Sequence, residues 1–547
     1  MLSAAFEGGG RRALQCCVRC CRGESRRGAR LPGASGAVHV RTYSSSTSPR
    51  TVEADPLYHG PRKGDKVIVG VSGGVDSSVS ALLLAQQDFD LEAVFMRNWA
   101  TDDGHNPVLP SALGEGSPSL PFDQSTCTWR EDYESAQAVC RHLSNLPLRL
   151  LDFQKEYWNA VFDPALSAWA AGETPNPDVA CNRQIKFGVL MDHILGQAGP
   201  SHRAVWLATG HYSRLRLDPV AGPDGQRSVQ LLRAVDPVKD QSYYLSSVPA
   251  SRLRQAHFPI GHLLKSEVRE IARRHSLPSA ARKESMGLCF VGDHKPPTPS
   301  VEKRGAQGEP GPFAKFLDSY LDSTPGPLVS PSGQVLGHHN GLHTLTIGQS
   351  ARIPGQKERW YVARKPRGSR QSSNAGWPGG AEQNSVLVVP GKDHPLLQCR
   401  RAVVSELHWV AGRLPPELEN GEALMQAWAQ VRHRQKAVPC SVKVCSPNGA
   451  QAGRSLDIEV SFPTPVTAVA PGQVLALWAD EQHIVSDTEE TTAETVGGTH
   501  PSSRANTVCL GSGTIADVWT LADEAAEAGM EAPWETRHTS ERHAVAI

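Results

Sequence analysis

The chain has 547 residues, 39% of them hydrophobic, and equal numbers of basic and acidic side chains, 56 of each. This length is enough for two or three domains with their own cores, and no apolar run approaches the roughly 18 residues that a membrane-spanning helix needs. Because the net charge is zero, the global charge does not indicate a nucleic-acid partner, and any basic surface must be local.

The first 50 residues depart from this balance, with nine Arg, no Lys, two Glu and no Asp. A basic, Ser-rich segment that is poor in acid is typical of a mitochondrial transit peptide; the alternative is a disordered basic tail of a cytosolic protein. We therefore expect residues 1–55 to be a transit peptide and linker, cleaved near Tyr43, and the mature protein to lie in the mitochondrial matrix. The remaining residues hold 47 basic and 54 acidic side chains, a net charge of −7.

Between residues 60 and 247, apolar strand-like runs alternate with helical patterns. The strand-like runs are 66–71, 91–96, 148–153 and 204–210, and the helical patterns are 76–87, 131–144, 155–171 and 181–197. Such alternation predicts an α/β domain with a parallel sheet covered on both faces. Ligands of such sheets bind outside the carboxyl ends of the strands. This predicts one crevice bounded by residues 72–78, Met96 and Gly210.

The second half of the chain changes character twice. Residues 248–384 read as a small mixed α+β region, and from 385 to 525 short alternating runs predict a small antiparallel barrel or a sandwich, followed by a tail over 526–547. Low-complexity stretches rich in Gly, Pro, Ser, Thr or charged residues predict solvated loops. These inserts are 104–124, 293–312, 367–384 and 485–506.

The stretch KVIVGVSGGVDSS, beginning at Lys66, predicts a strand, a glycine turn and a helix. A helix N-terminus behind a glycine turn is a ready site for an anion, because free backbone N–H groups point outward. The turn lacks the lysine of the GxxxxGK[ST] phosphate loop, and Asp76 is placed where a carboxylate could help to hold Mg²⁺. The alternative is an ordinary turn with a capping Ser or Asp.

Two cysteines stand in unusual contexts. Cys181, in TPNPDVACNRQIKF, is predicted to lie at a helix start, where the dipole stabilises a thiolate. Cys289, in KESMGLCFVGD, lies in a glycine-containing loop near Lys283. No CxxC pair occurs after residue 50, which argues against a structural zinc ribbon. The alternative is that both are buried fillers of a core.

Together these motifs resemble one family, the tRNA-specific 2-thiouridylases in their mitochondrial form. The resemblance covers about residues 64–485 and resumes at CLGSG, Cys509–Gly513. Its motifs are GVSGGVDSS, VFMRNW, TPNPDVACNRQIKF, ATGHY, KDQSYYLS, ESMGLCFVG, IGQ, RWYV, VRHRQKAVPC and APGQ. The resemblance implies an ATP pyrophosphatase (PP-loop, adenine nucleotide α-hydrolase-like) domain, a small central domain carrying Cys289, and a C-terminal tRNA-binding β-barrel.

The family mechanism implies roles for individual residues. ATP, with Mg²⁺, adenylates the C2 oxygen of a wobble uridine, and Cys289 carries sulfur as a persulfide. Cys181 is the nucleophile that forms a transient disulfide with Cys289. Asp178 acts as general acid or base; the alternative for it is a turn-capping role. An iron–sulfur cluster on the two cysteines and a third ligand stays open.

The resemblance also implies binding residues and partners. The partners are tRNA and a sulfur-donor persulfide protein of a cysteine desulfurase relay, with no membrane. Contacts to ATP are implied for Gly70, Val71, Ser72, Gly73, Gly74, Val75, Asp76, Ser77, Met96 and Gly210. Contacts to the target base or tRNA are implied for Asn176, Pro177, Asp178, Lys239, Asp240, Gln241, Arg432 and His433, and tRNA choice for His211 and Gln473.

Two rival classes remain open at this point. One is another PP-loop ligase or amidotransferase, although no glutaminase-like nucleophile segment is evident and turnover without tRNA would favour it. The other is a non-catalytic tRNA-binding protein that keeps the loop as a scaffold. The basic run RHRQK, from Arg432, fits phosphate contact, and its alternative is a solvated strand face.

Overall fold

A computed structural model describes residues 57–99, 129–196, 204–221, 225–283, 312–366, 384–419, 424–445, 456–479 and 507–530. The predicted transit segment, Cys289 and nearly all of the four predicted inserts lie outside the described residues. Within the described part of the chain, no helix is both long and apolar enough to cross a membrane.

The first region is an α/β domain whose strands match the predicted runs closely. In chain order its elements are β1 (Lys66–Gly70), α1 (Val75–Ala85), β2 (Asp90–Arg97), α2 (Trp129–His142), β3 (Leu148–Asp152), α3 (Gln154–Tyr157), a π-helix (Trp158–Phe162), α4 (Asp163–Ala170), α5 (Pro177–Ala180), a second π-helix (Cys181–Leu190), α6 (Met191–Gly196), β4 (Val205–Ala208), β5 (Arg214–Leu217), β6 (Val229–Leu232), α7 (Ser242–Leu245), α8 (Ala250–Leu253), β7 (Ala256–His257) and α9 (Lys265–Arg274).

The core of this domain is a five-stranded sheet in the order β3-β2-β1-β4-β7, and every pair in it is parallel. Its central strands are buried on both faces, as the near-continuous apolar run Val67–Val69 requires. The chain order reverses between β1 and β4, so the crevice at a topological switch point opens between the ends of these two strands. The predicted parallel sheet is confirmed.

The sheet extends beyond the domain end predicted at residue 247. Strand β7, Ala256–His257, pairs with β4, and α9 packs against α1. A two-residue strand is too short to show an alternating pattern, so this fifth strand could not be predicted. The α/β domain therefore continues at least through α9.

The central region forms a small mixed sheet. Its elements are α10 (Pro312–Leu317), β8 (Gly326–Val329), β9 (Val335–His339), a 3₁₀ turn (Leu342–Thr344), β10 (Trp360–Arg364) and β11 (Val386–Pro390). The strand order is β10-β11-β8-β9, with β11 and β8 parallel. The run 385–389, predicted to open the C-terminal region, thus belongs here. Local alternation identifies a strand but does not say which sheet the strand joins.

The C-terminal region is a closed barrel. Its elements are a 3₁₀ turn (Pro395–Leu397), β12 (Gln398–Trp409), α11 (Pro416–Glu419), β13 (Met425–Gln430), β14 (Val438–Val444), β15 (Ile458–Thr467), β16 (Val474–Ala479), β17 (Val508–Thr520) and α12 (Leu521–Glu527). Strand β12 pairs with both β15 and β17, which closes six antiparallel strands into a ring. Of the two predicted alternatives, the barrel is therefore confirmed over the sandwich.

A hairpin of the first domain joins the barrel. Strands β5 and β6 pair with each other, and Leu232 of β6 pairs with Val508 of β17. Beside this junction the Arg233 guanidinium lies 3.6 Å from the ring centroid of the fully buried Trp478. The ring's negative face and the guanidinium attract each other. The barrel is therefore anchored to the α/β domain next to the crevice.

Candidate functional site

The glycine turn after β1 is held in shape by its own serines. The Ser72 N–H donates to Ser77 Oγ at 3.1 Å, and Ser77 Oγ donates to the Gly74 carbonyl at 3.2 Å. Gly73 has φ +77°, and a Cβ there would lie 2.3 Å from the Asp132 carbonyl oxygen. Only glycine fits this left-handed, crowded position. The first-turn N–H groups of α1 have no partner within the helix, so the turn can cradle a phosphate.

Gly210, after β4, lies directly against this turn. A Cβ on Gly210 would be 2.8 Å from the Ser77 nitrogen and 3.0 Å from the Asp76 carbonyl carbon. Met96 occupies the carboxyl end of β2, the strand that pairs with β1 on its other side. The structure thus gathers the predicted nucleotide-binding positions at one edge of the sheet. The donors, the glycines and the helix N-terminus together fit a polyphosphate.

Asp76 has partners that the sequence did not reveal. Its carboxylate accepts two hydrogen bonds from Lys265 Nζ, at 2.7 and 2.8 Å, and one from the Tyr212 hydroxyl at 2.8 Å. Lys265 is the first residue of α9, 189 positions further along the chain. In this arrangement Asp76 belongs to an ion pair, and its part in holding Mg²⁺ stays a prediction.

A second unforeseen cation ties the turn to α2. Arg282 donates to the Gly73 carbonyl at 3.1 Å and pairs with the Asp132 carboxylate. The Ser135 hydroxyl donates to the same carbonyl at 2.9 Å. Arg282 precedes Cys289 by seven residues, so the chain is fixed to the turn shortly before the second predicted cysteine. Cys289 itself, and with it the predicted disulfide to Cys181, lies outside the described residues.

Cys181 does not lie at a helix start, contrary to prediction. The helix begins at Pro177, where the Asn176 side chain caps it by accepting from the Val179 N–H at 3.4 Å. The Cys181 N–H already bonds back to the Pro177 carbonyl. Because a helix dipole acts mainly on the first turn, its support for a Cys181 thiolate is weaker than expected. The sequence prediction missed that proline at the first helical position starts a helix.

At Cys181 the helical stretch that starts at Pro177 continues without a break as a ten-residue π-helix, and Cys181 is only 5% exposed. Segments of π-helix are rare and are found frequently at functional sites. Three residues of this segment, Cys181, Ile185 and Phe187, belong to the core cluster that packs β4 against the helices. The thiol is therefore placed by a rigid frame rather than by a surface loop.

Asp178 lies one turn before Cys181 in the same helical stretch. Its carboxyl is largely buried, and this desolvation raises its pKa, while the positive charge of Lys186 opposes the rise. The Asn182 amide donates to the Asp178 carbonyl at 2.9 Å, so the backbone here is fixed as well. The negative charge of Asp178 in turn contributes, after burial, to raising the pKa of Tyr244 to about 12. A carboxyl with a raised pKa beside a partly exposed lysine suits proton transfer.

His211 lies at the end of the same crevice. Burial and the charge of Lys186 hold its pKa well below the ordinary value of 6.5, so the imidazole is neutral. Its Nδ1 is 2.7 Å from Thr209 Oγ1, and its Nε2 is 3.4 Å from Lys186 Nζ. Lys186 thus links the cysteine-bearing helix to the end of β4, and the sequence reading overlooked this residue.

Two of the residues predicted to contact tRNA have structural partners. The Asp240 carboxylate accepts from Arg233, from the Ala234 N–H and from Ser242. The Gln241 side chain accepts from the Tyr212 N–H at 3.0 Å. Lys239 is partly exposed beside them. These bonds shape the turn before α7, and a direct tRNA contact by Asp240 or Gln241 stays a prediction.

The basic run RHRQK forms the turn between β13 and β14, so the alternative of a solvated strand face is wrong. His433 in this turn lies with Nδ1 2.9 Å from the Tyr244 hydroxyl and Nε2 3.2 Å from the Asp240 carbonyl. Arg432 donates to the Thr467 carbonyl at 3.0 Å. The turn therefore places His433 against Tyr244 of α7, and the charges of Arg434 and Asp178 both act on the Tyr244 hydroxyl.

Gln473 lies where the barrel touches the loop before Cys181. The neighbouring Gly472 has φ +88°, and a Cβ there would lie 2.7 Å from the Thr174 nitrogen. The Thr174 N–H donates to the Pro471 carbonyl at 3.1 Å. Next to this contact a cleft of about 780 Å³ runs between the helix that follows Asn176 and the barrel. Its walls include Arg183, Gln184, Ser247, Glu406, His408, Ser512 and Thr514.

Among the described residues, no group of three or more His, Cys, Asp or Glu side chains is arranged to hold a metal ion. Cys181 is one of the buried cysteines in the described part of the chain. The chemistry available at this site is therefore that of a phosphate cradle, a carboxyl with a raised pKa, a lysine and a buried thiol.

Comparison with known proteins matches three family models to the three regions. A tRNA methyl transferase HUP domain matches residues 65–293, a tRNA methyl transferase PRC-barrel domain matches 314–369, and an aminomethyltransferase beta-barrel domain matches 400–485. A tRNA-specific 2-thiouridylase MnmA of Chromohalobacter salexigens is 36% identical over 462 residues, covering 83% of this chain and 93% of the relative. The protein of the same name from Francisella tularensis subsp. tularensis is 37% identical over 424 residues, covering 76% of this chain and 96% of the relative.

Proposed function

Because the chain belongs to the family of tRNA-specific 2-thiouridylases, we propose that it is a tRNA-uridine 2-sulfurtransferase. It replaces the C2 oxygen of the wobble uridine of mitochondrial tRNAs by sulfur, using ATP with Mg²⁺. The observation that carries this proposal is that a phosphate-binding turn and a helix with a carboxyl and a thiol lie at one crevice. The phosphate turn after β1 and the Asp178–Cys181 helix are joined there through Lys186 and His211.

The first half of the reaction activates the base. A uracil carbonyl resists direct displacement, so it is first given a good leaving group. The uridine C2 oxygen bonds to the α-phosphorus of ATP, the bond from that phosphorus to the bridging oxygen breaks, and pyrophosphate leaves. The turn Ser72–Ser77 holds the phosphates, and Asp178 receives the proton that the uridine ring loses at N3. The raised pKa of Asp178 makes it a better proton acceptor than an exposed aspartate.

The second half delivers sulfur. A persulfide protein of a cysteine desulfurase relay transfers sulfur to Cys289, whose terminal sulfur attacks C2 while AMP leaves. The Cys181 thiolate then attacks the Cys289 sulfur, which releases the thiolated base and forms a Cys181–Cys289 disulfide. A dithiol reductant supplies the two electrons that reset the pair. Cys181 is only 5% exposed, so its thiol is shielded from other oxidants.

The tRNA is seated between the α/β domain and the barrel. The Arg432–Lys436 turn supplies cations for phosphate contact, and the cleft beside Asn176 has polar walls wide enough for a nucleotide. A base must leave the anticodon stack to reach Asp178, as flipped bases do in other modifying enzymes. Import into the mitochondrial matrix, directed by residues 1–43, completes the proposal.

Reconstitution tests the proposal directly. Purified protein is incubated with tRNA, ATP, Mg²⁺ and a sulfide source, and the digested tRNA is analysed by mass for 2-thiouridine. Formation of AMP and 2-thiouridine in equal amounts is expected. ATP turnover that does not need tRNA would instead indicate a different PP-loop ligase.

Two cysteine variants test the sulfur steps with a protein persulfide donor. Cys289→Ser is expected to release pyrophosphate but to deliver no sulfur. Cys181→Ser is expected to accept a persulfide on Cys289 and then to stall, because no second thiol can release the sulfur. Free sulfide can attack the adenylate directly, so it should rescue both variants in part. Persulfide found only on Cys181, or full activity of Cys289→Ser with the protein donor, would reverse the assigned roles.

A further inference from the structure

Lys186 lies where the two halves of the site meet. Its ammonium nitrogen is 3.4 Å from His211 Nε2, and its charge acts on the partly buried Asp178 carboxyl. His211 directly follows Gly210, whose Cα lies against the backbone of Asp76 and Ser77. The lysine therefore stands between the phosphate turn and the position that the target base must occupy beside Asp178.

Hydrogen bonds of His211 orient the Lys186 side chain. An ammonium group can only donate, so the imidazole accepts from Lys186 at Nε2. The imidazole is neutral, and its remaining proton lies on Nδ1, which donates to Thr209 Oγ1 at 2.7 Å. One of the three donors of Lys186 is thereby fixed against the end of β4. The side chain is partly exposed, so the other donors can reach a ligand in the crevice.

The phosphate turn, residues 72–78, contains no lysine or arginine that could take the place of Lys186. It carries no lysine after its glycines, unlike the GxxxxGK[ST] loop. Lys265 is engaged by the Asp76 carboxylate at 2.7 Å, and Arg282 pairs with Asp132. Both lie on the α1 and α2 side of the turn. Lys186 instead approaches from the side of the cysteine-bearing helix.

We propose that Lys186 is a further catalytic residue, whose ammonium contacts the α-phosphate during adenylation. The inference rests on the proposed function. When the uridine oxygen attacks the α-phosphorus, negative charge builds on the phosphate oxygens before pyrophosphate leaves. A fixed ammonium in a partly buried site stabilises that charge. Lys186 thus supplies positive charge at the α-phosphate, whereas the lysine of the GxxxxGK[ST] loop reaches the β- and γ-phosphates.

The test separates phosphate contact from a structural role. Lys186→Met and Lys186→Arg are compared with Lys443→Met, a control on β14 whose ammonium pairs with Glu459 at 3.0 Å in the barrel. Equilibrium affinities are measured for AMP and for adenosine, which differ by the α-phosphate alone. Lys186→Met should weaken AMP binding about tenfold and leave adenosine binding unchanged. Lys186→Arg should keep most of the AMP affinity, and Lys443→Met all of it.

Single-turnover release of pyrophosphate in the presence of tRNA gives the second readout. Lys186→Met should slow it by about 100-fold, with a smaller loss for Lys186→Arg. Equal losses of AMP and adenosine affinity, or an unchanged AMP affinity, would overturn the inference. Absence of 2-thiouridine from wild-type reactions would refute the proposed function instead, whatever the AMP measurements show.

Discussion

Replacing Gly210 by alanine tests whether the end of β4 really supports the phosphate turn. The added Cβ would lie 2.8 Å from the Ser77 nitrogen and 3.0 Å from the Asp76 carbonyl carbon. Ordinary contact begins at 3.4 Å, and both neighbours are backbone atoms of α1 that cannot swing aside. To restore ordinary contact, the start of α1 must therefore move by about 0.6 Å, the difference between 3.4 and 2.8 Å. Overpacking of this kind costs about 1–3 kcal/mol of stability.

The functional loss should exceed the loss of stability. A displacement of about 1 Å in a reacting group can reduce the rate by about 100-fold, so a shift near 0.6 Å should slow pyrophosphate release by about tenfold or more. The rate and the denaturant midpoint are measured beside Gly196→Ala. A Cβ on Gly196, at the end of α6, meets nothing within 4 Å. If Gly210→Ala and Gly196→Ala have the same denaturant midpoint and the same rate of pyrophosphate release, the argument that β4 supports the turn is wrong.

Three further predictions concern other parts of the chain. If Asp178 accepts the uridine proton, activity must rise as pH increases through the pKa of Asp178. Burial raises this pKa above the ordinary value of 3.8, so the rise in activity should lie above pH 3.8. Asp178→Asn should remove this rise from the pH–rate profile. Lys265→Met should leave the Asp76 carboxylate without its cation, lowering the free energy of unfolding by about 1–2 kcal/mol and weakening ATP binding; an unchanged denaturant midpoint would contradict this. Deleting residues 1–43 should preserve activity in vitro and block import, and accumulation of the truncated protein in mitochondria would disprove the transit-peptide interpretation.

Most of the fold could be predicted from the sequence, because the patterns that indicate strands and helices are local. Strands β1 to β4 were predicted within two residues at either end, since buried parallel strands give dense apolar runs. The barrel was one of two readings of the alternating runs near the C-terminus. Closure depends on β12 pairing with β17 about 110 positions later, and alternation carries no information about pairing. The sheet that β11 joins was missed for the same reason, whereas the two-residue β7 was missed because it is too short to show alternation.

The site was predicted where its residues form motifs and missed where they do not. The phosphate turn, Gly210 and Asp178 all stand in recognisable stretches, and the structure brings them to one crevice. Lys265 and Arg282 are ordinary cations in helical or turn contexts, and only the tertiary fold aims them at Asp76 and the turn. No feature of the local sequence distinguishes them from solvated surface charges.

The barrel is bonded to the candidate site rather than standing apart as a separate module. The Thr174 N–H donates to the carbonyl of Pro471, just before β16, so the barrel fixes the loop that leads to Cys181. The buried Tyr243 hydroxyl donates to the Val474 carbonyl at 2.8 Å, which fixes α7 to the same strand. Since α7 also carries Tyr244, which the charge of Asp178 influences, the barrel is bonded to two segments near Asp178. If tRNA engages the barrel turn as proposed, these backbone contacts connect the barrel with the loop before Cys181.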